Sequence, residues 1–242
     1  MLYNKNYMKT IGIIGGITWH STVDYYRQLN EMVNAKLGGV HSAKIVLYSA
    51  EFSEIKTLTE AGDWKALADI VTRAAVSLQG AGAECILIGA NTMHHIADEV
   101  QAAITIPLIH IGTVTAEAIQ HKKIKKVALL GTKYTMQMAF YKDKLAAYHI
   151  ETIIPAEKDI LYINNAIYNE FGAGIFLPET KKEILRIIDG LIKEGAEGII
   201  LGCTEIPILI KPEDCSVPVF DTALIHTAAA VKFALSPESH LL

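Results

Sequence analysis

Two short polar tetrads hold the residue types in this chain that could do chemistry. Gly202-Cys203-Thr204-Glu205 closes one apolar run, and Gly89-Ala90-Asn91-Thr92 closes another. A thiol at a strand end, just before a helix, is a proton donor. Once ionised there it is a base or nucleophile, because backbone N–H groups and the helix dipole stabilise a thiolate. Cys203 is therefore the candidate catalytic group, while Asn91, Thr92 and Thr204 read as caps and ligand donors. The N–H groups at both tips suit a small carboxylate or phosphate. His94 and His95 follow the first tetrad, but adjacent histidines on a helix make no metal pair. His95 reads as a packed or solvent-facing ring, and His94, nearer the tip, as a candidate ligand contact. Cys85 sits mid-strand, where a small buried hydrophobe is expected. Cys215 lies in the loop Lys211-Pro212-Glu213-Asp214-Cys215 and has no evident role.

Other chemistries lack their motifs. Gly12-Ile13-Ile14-Gly15-Gly16 follows a strand but is not GxGxxG, and no acidic residue ends the next strand in dinucleotide fashion. Neither GxxxxGK[ST] nor GxSxG occurs. Of the 242 residues 51% are hydrophobic and 20% charged, with 22 basic and 26 acidic side chains and a net charge of −4. That composition excludes a disordered chain and gives no electrostatic footprint for nucleic acid. No apolar run approaches the roughly 18 residues needed to cross a bilayer, so no membrane partner is expected. The start, MLYNKNYMKT, lacks the features of a signal peptide. Three cysteines make no disulfide framework, and a cytoplasmic protein is the expectation.

The elements that must position the tetrads alternate in kind. Apolar runs at 10–15, 44–49, 85–89, 106–111, 126–131, 197–202 and 217–220 predict strands, nearly continuous in hydrophobicity, as buried parallel strands are. Helical patterns lie at 22–36, 63–80, 95–103, 134–147, 160–171, 180–194 and 223–235. The alternation predicts an α/β protein. An internal repeat refines it. GAECILIGANT (82–92) matches GAEGIILGCTE (195–205), KTIGIIGG (9–16) matches KKVALLGT (125–132), and IPLIHI (106–111) matches VPVFDT (217–222). Three matches in one order at nearly constant spacing imply two pseudo-symmetric α/β halves, each a mainly parallel sheet flanked by helices. Ligands of such sheets sit at the carboxyl ends of strands, so the expected site lies between two facing tips. The expected division is a disordered extension at 1–8, a first half at 9–120, a second at 121–225, and a C-terminal helix and tail at 226–242 packing on the first half. The charged run from His121 to Lys126 reads as a solvated helix end and linker.

At these tetrads the sequence resembles the cofactor-independent aspartate/glutamate racemase family. The resemblance runs from Ile11 to about Phe233, on GIIGGITWHSTVDYYRQLNE (12–31), GGVHSA (38–43), GANTMH (89–94), LLGTKYTM (129–136), GCTEIPILI (202–210) and VPVFDTALIH (217–226). It implies an amino-acid racemase, with aspartate or glutamate as substrate and no cofactor or metal. One group removes the α-proton and another returns a proton to the opposite face. Cys203 matches the second family cysteine. The resemblance assigns Asn91, Thr92 and Thr204 to the substrate carboxylate and places Ile17, Glu51 and Glu205 about the substrate. It implies a small amino acid or dicarboxylate as partner and allows a homodimer.

The sequence departs from the family pattern at Ala90, which stands where the first family cysteine would be and has nothing that ionises. Tyr162 stands where the resemblance implies a lysine. Thr92, His94 and Tyr162 are the side chains that could replace the missing acid/base, as could a water. Racemisation with such a substitute is the expected function. A single-thiol decarboxylase or isomerase of the same superfamily, a non-catalytic dicarboxylate-binding protein, and an engineered change at Ala90 are the alternatives.

Overall fold

The computed structural model describes residues 7–237. Most of the extension expected at 1–8 and the tail from 238 onward lie outside the described residues. Along the chain run β1 (Ile11–Gly15), α1 (Trp19–Leu37), β2 (Ile45–Ser49), α2 (Phe52–Ala61), α3 (Trp64–Gly80), β3 (Cys85–Ile88) and α4 (Ala97–Ala102). They are followed by α5 (Ile111–His121), β4 (Lys126–Gly131), α6 (Lys133–Gln137), α7 (Ala139–Ala146), β5 (Glu151–Ile153) and α8 (Glu157–Asn169). The last are α9 (Pro178–Lys193), β6 (Gly198–Gly202), α10 (Ile206–Leu209), β7 (Val219–Asp221) and α11 (Thr222–Ala234). The elements form two parallel sheets flanked by helices, as the alternation predicts.

The sheets share one connectivity. The first has order β2-β1-β3 and the second β5-β4-β6-β7, with every pairing parallel. A single bridge from Ile86 to Leu108 stands in the first sheet where β7 stands in the second. The strand expected at 106–111 is reduced to that bridge. Two main-chain bonds, Ile86 N–H to Pro107 O and Ile109 N–H to Ile86 O, hold it to β3, while Gln79 Oε1 takes the amides of Thr105 and Ile106 and Gln101 Oε1 that of Leu108. The segment then turns into α5 at Ile111.

Compact packing divides the chain into a first unit (residues up to Gly89, Ile96–His110 and His226 onward) and a second (Ala90–His95 and Ile111–Ile225). The boundary therefore differs from 120/121. Ile111, Ala116 and Ile119 of α5 share one apolar cluster with Tyr141 and Leu145 of α7, which fixes α5 in the second unit. The charged run ends α5 and enters β4 directly, within that unit.

In the second unit the strands bury both faces. Ala128, Leu130, Ile199 and Leu201 pack against α8 and α9, through residues such as Ile163, Ile184 and Ile188. Val127, Leu129 and Ile200 pack the other way, against α5 and α7. Ile184, Ile187, Ile188 and Leu191 recur at helical spacing, so α9 presents one apolar stripe to the sheet. Gly131 pairs with Gly202 at the ends of β4 and β6. A Cβ on Gly131 would lie 2.7 Å from Gly202 O, and one on Gly202 would lie 2.8 Å from Leu130 O. Only glycine lets the strand ends close so tightly, and Thr132 and Cys203 leave the sheet from this point. Among the described residues no helix is long and apolar enough to cross a membrane.

Candidate active site

The second unit gathers most of the expected residues at the carboxyl ends of β4, β6 and β7. Ala90–His95 joins this unit although it leaves β3 of the first. Asn91 Nδ2 lies 3.1 Å from Thr222 Oγ1, and Thr222 Oγ1 donates its proton to Leu201 O at 2.9 Å. With its single proton committed, the Thr222 oxygen can only accept from Asn91. That orients the Asn91 amide, turning Oδ1 away from Thr222. Asn91 is 5% exposed, and its Oδ1 has no hydrogen-bond partner. A buried acceptor left bare costs about 1–3 kcal/mol, and a ligand donor would offset that cost. The resemblance assigns Asn91 to the substrate carboxylate, whereas the bare oxygen suits an N–H donor instead.

Thr92 anchors the same turn to the end of β4. Its hydroxyl lies 2.9 Å from Thr132 Oγ1 and 3.3 Å from Thr135 Oγ1, and those two are 3.2 Å apart. Thr132 also caps α6 through the Thr135 amide. All three threonines are buried. His94 is buried too, and its Nδ1 is 2.9 Å from Ala90 O. A carbonyl only accepts, so Nδ1 carries the proton and, in the neutral ring, Nε2 carries the lone pair. The half-buried His95 ring packs against Phe140 at 5.8 Å.

At the β6 tip, Cys203 Sγ donates to Glu205 Oε2 at 3.0 Å, and Thr204 Oγ1 donates to the same oxygen at 2.6 Å. The expectation of a thiolate at a helix N-terminus fails here. Burial and then the Glu205 carboxylate push the Cys203 thiol well above its usual range, against a weaker pull from the Glu205 and Ile206 N–H groups. The helix that follows, α10, spans only Ile206–Leu209, which leaves little dipole to oppose this. Cys203 rests as a thiol.

Tyr162, on α8, is partly buried against the apolar cluster that includes Cys203. Ile17 and Glu51 belong to the first unit. Ile17 is half-buried in the turn between β1 and α1. Glu51 is exposed and caps α2, its two carboxylate oxygens taking the Ser53 and Glu54 amides. Those amides hold its carboxyl below the usual range. Cys85 is buried in β3, where desolvation pushes its thiol up to about 12, and Cys215 is a half-buried loop residue raised chiefly by burial. Among the described residues no three His, Cys, Asp or Glu side chains are grouped to hold a metal ion.

Sequence reasoning assigned no role to Thr132, Thr135 or Thr222. The repeat carried a signal for two of them, since Thr132 and Thr222 close the matched segments KKVALLGT and VPVFDT just beyond the strand ends.

The Asp/Glu/Hydantoin racemase family matches residues 14–230 of this chain, which includes both tips. The chain belongs to this family. A crystal structure of a candidate Asp/Glu racemase from Yersinia pestis is 47% identical, with a TM-score of 0.89 over 95% of this chain and 100% of that one. An aspartate racemase homologue from Pyrococcus horikoshii OT3 is 38% identical, with a TM-score of 0.83 over the same shares. A broad specificity amino-acid racemase of Bacillus subtilis (strain 168) is 29% identical over 168 residues, 68% of this chain and 71% of that one. Membership in the racemase family directs attention to the β6 tip, where the thiol lies.

Proposed function

We propose that this protein is an amino-acid racemase of the aspartate/glutamate type that moves the α-proton with its own side chains, without pyridoxal phosphate or a metal. The observation that carries the reading is the buried Cys203 thiol on the Glu205 carboxylate. It stands at the end of the strand to which Thr222 ties Asn91. The bare Asn91 Oδ1 accepts an N–H of the substrate ammonium, and the Thr92, Thr132 and Thr135 hydroxyls turn toward its carboxylate. Donors on the carboxylate also stabilise the charge that develops as the α-proton leaves. Cys203 serves one face of the planar carbanion. His94 serves the Ala90 face, since the Nδ1 bond to Ala90 O leaves Nε2 as the proton acceptor. The aspartate racemase homologue and the broad-specificity relative support an amino-acid substrate without fixing its side chain.

A second reading has an observation of its own. Ala90 offers nothing that ionises, and Cys203 rests protonated, which is the state a single-thiol decarboxylase needs to protonate a carbanion formed by loss of CO₂. Proton NMR in D₂O over a panel of L- and D-amino acids, followed by chiral chromatography, separates the two. Loss of the α-proton signal with appearance of the opposite enantiomer establishes the racemase. Exchange with retained configuration indicates chemistry on the Cys203 face alone. Neither exchange nor inversion rejects the racemase and leaves the decarboxylase or a binding protein.

A further inference from the structure

We propose that the outer edge of β2 is a self-association surface, to which a second copy of this chain adds its own β2, antiparallel about a twofold axis at Leu47. β2 is an edge strand, paired with β1 alone. Ile11 N–H bonds to Lys44 O and Ala50 N–H to Gly15 O, so Lys44, Val46, Tyr48 and Ala50 turn their main-chain groups toward β1. Those of Ile45, Leu47 and Ser49 point outward, and no described residue bonds to them. Asn30 Oδ1 takes the Ala43 amide at one end, and α2 begins at Phe52 beyond the other, so these three residues form the open stretch.

An open edge invites pairing, and proteins blunt it by keeping it short, charging it or covering its amides. The other sheet edges of this chain carry such guards. β5 and β7 span three residues each and include Glu151 and Asp221. Beside β3, Gln79 and Gln101 take the outward amides of Ile106 and Leu108. The five residues of β2, Ile-Val-Leu-Tyr-Ser, hold neither a charge nor a proline. Leu47 is 46% exposed and Tyr48 38%. A Cβ on Gly15 would meet Thr22 of α1 and Leu47 Cδ1 together, so Leu47 lies on the sheet face that α1 covers. That helix and the turn leading from it to β2 add Trp19, Val23, Tyr26 and Val40, all exposed. Apolar surface gathered in this way marks an interaction site.

The occupant that fits this edge is its own copy. Lys44 stands at its start and Glu51 just past its end, both exposed. Antiparallel pairing centred on Leu47 sets Ile45 against Ser49 and Leu47 against Leu47, and it brings Lys44 of each copy beside Glu51 of the other. Parallel pairing in register would set like charges together. Each facing pair exchanges two main-chain bonds. The same surface serves both copies, so the contact closes as a dimer, and two three-stranded sheets become one of six strands.

The test is the mass of the full chain in solution, by analytical ultracentrifugation over a dilution series. A dimer is expected. Leu47→Lys sets two ammonium groups opposite each other at the axis and is expected to weaken association on the order of tenfold or more, with the circular dichroism spectrum unchanged. Leu47→Cys places two thiols across the axis, with Cα atoms about 5.5 Å apart and within disulfide reach. Mild oxidation is expected to give a covalent dimer there, but none with Leu161→Cys, an exposed position on α8. Should Leu47→Lys fail to fold, the cross-link decides. A monomeric wild-type chain overturns the proposal and leaves the edge to a different partner. A dimer that Leu47→Lys does not weaken, or that Leu47→Cys does not cross-link, overturns the choice of surface.

Discussion

The two strand tips descend from the same repeat, yet they have been furnished in opposite ways. After β6 come a thiol, a hydroxyl and a carboxylate, the first two converging on one oxygen of the third, Glu205. After β3 come a methyl group, an amide and a hydroxyl, and each polar group is tied outward to another segment: Asn91 to Thr222 and Thr92 to Thr132 and Thr135. One tip concentrates ionisable groups and the other distributes neutral donors and acceptors. The backbone scaffold is common to both, since a glycine ends each strand run at Gly89 and Gly202. A Cβ at Gly202 would come within 2.8 Å of Leu130 O, while one at Gly89 would lie 3.3 Å from Ile14 O. The division of labour therefore lies in side chains on a repeated backbone. On the proposed function, Cys203 at one tip moves a proton, while the other tip holds the ligand through Asn91 and adds His94 on the opposite face.

The largest effect follows from emptying the ionisable tip. Cys203→Ala removes the proton-carrying atom and is expected to lower turnover by about 10²–10⁴-fold, with the circular dichroism spectrum unchanged. Undiminished turnover would place the chemistry elsewhere and erase the contrast. Next comes the attempt to make the tips alike. Ala90→Cys puts a thiol on the neutral tip, and the racemisation rate is expected to rise on the order of tenfold. No gain would mean that the Ala90 face already has its acid/base. His94→Gln in the Ala90→Cys background then shows whether His94 supplied it: turnover that survives there but collapses in His94→Gln alone assigns the role.

Much of this comparison was legible in the sequence because it rests on the repeat. Matched apolar runs fixed the strands that become β1, β3, β4 and β6, and polar residues just past Gly89 and Gly202 marked the tips. The less regular parts were not legible. The run at 106–111 has the composition of a strand, but it bridges β3 only at Leu108 before turning into α5, and Gln79 and Gln101 take the amides of Ile106 and Leu108. The state of Cys203 was misread from position alone. A strand end before a helix suggests a thiolate, whereas desolvation and a carboxylate two residues on outweigh a one-turn helix. Nothing in the spacing of Thr92, Thr132 and Thr135 announces a hydroxyl triangle, because the three meet only when two separate turns fold onto the end of β4.

The smallest effect tests the neutral tip. Asn91→Ala removes the bare Oδ1 and leaves Thr222 with its donor bond to Leu201 O intact. If that oxygen holds the substrate ammonium, losing one hydrogen bond to a charged group of about 1.5 kcal/mol or more raises KM roughly tenfold. The rate of the bound complex should change much less, since the proton still passes through Cys203. The same substitution should not weaken binding of a dicarboxylate lacking an amino group, such as succinate, measured by calorimetry. Equal losses for the amino acid and for succinate would assign Asn91 to a carboxylate, and the two tips would then share ligand-holding more evenly than their hydrogen bonds indicate.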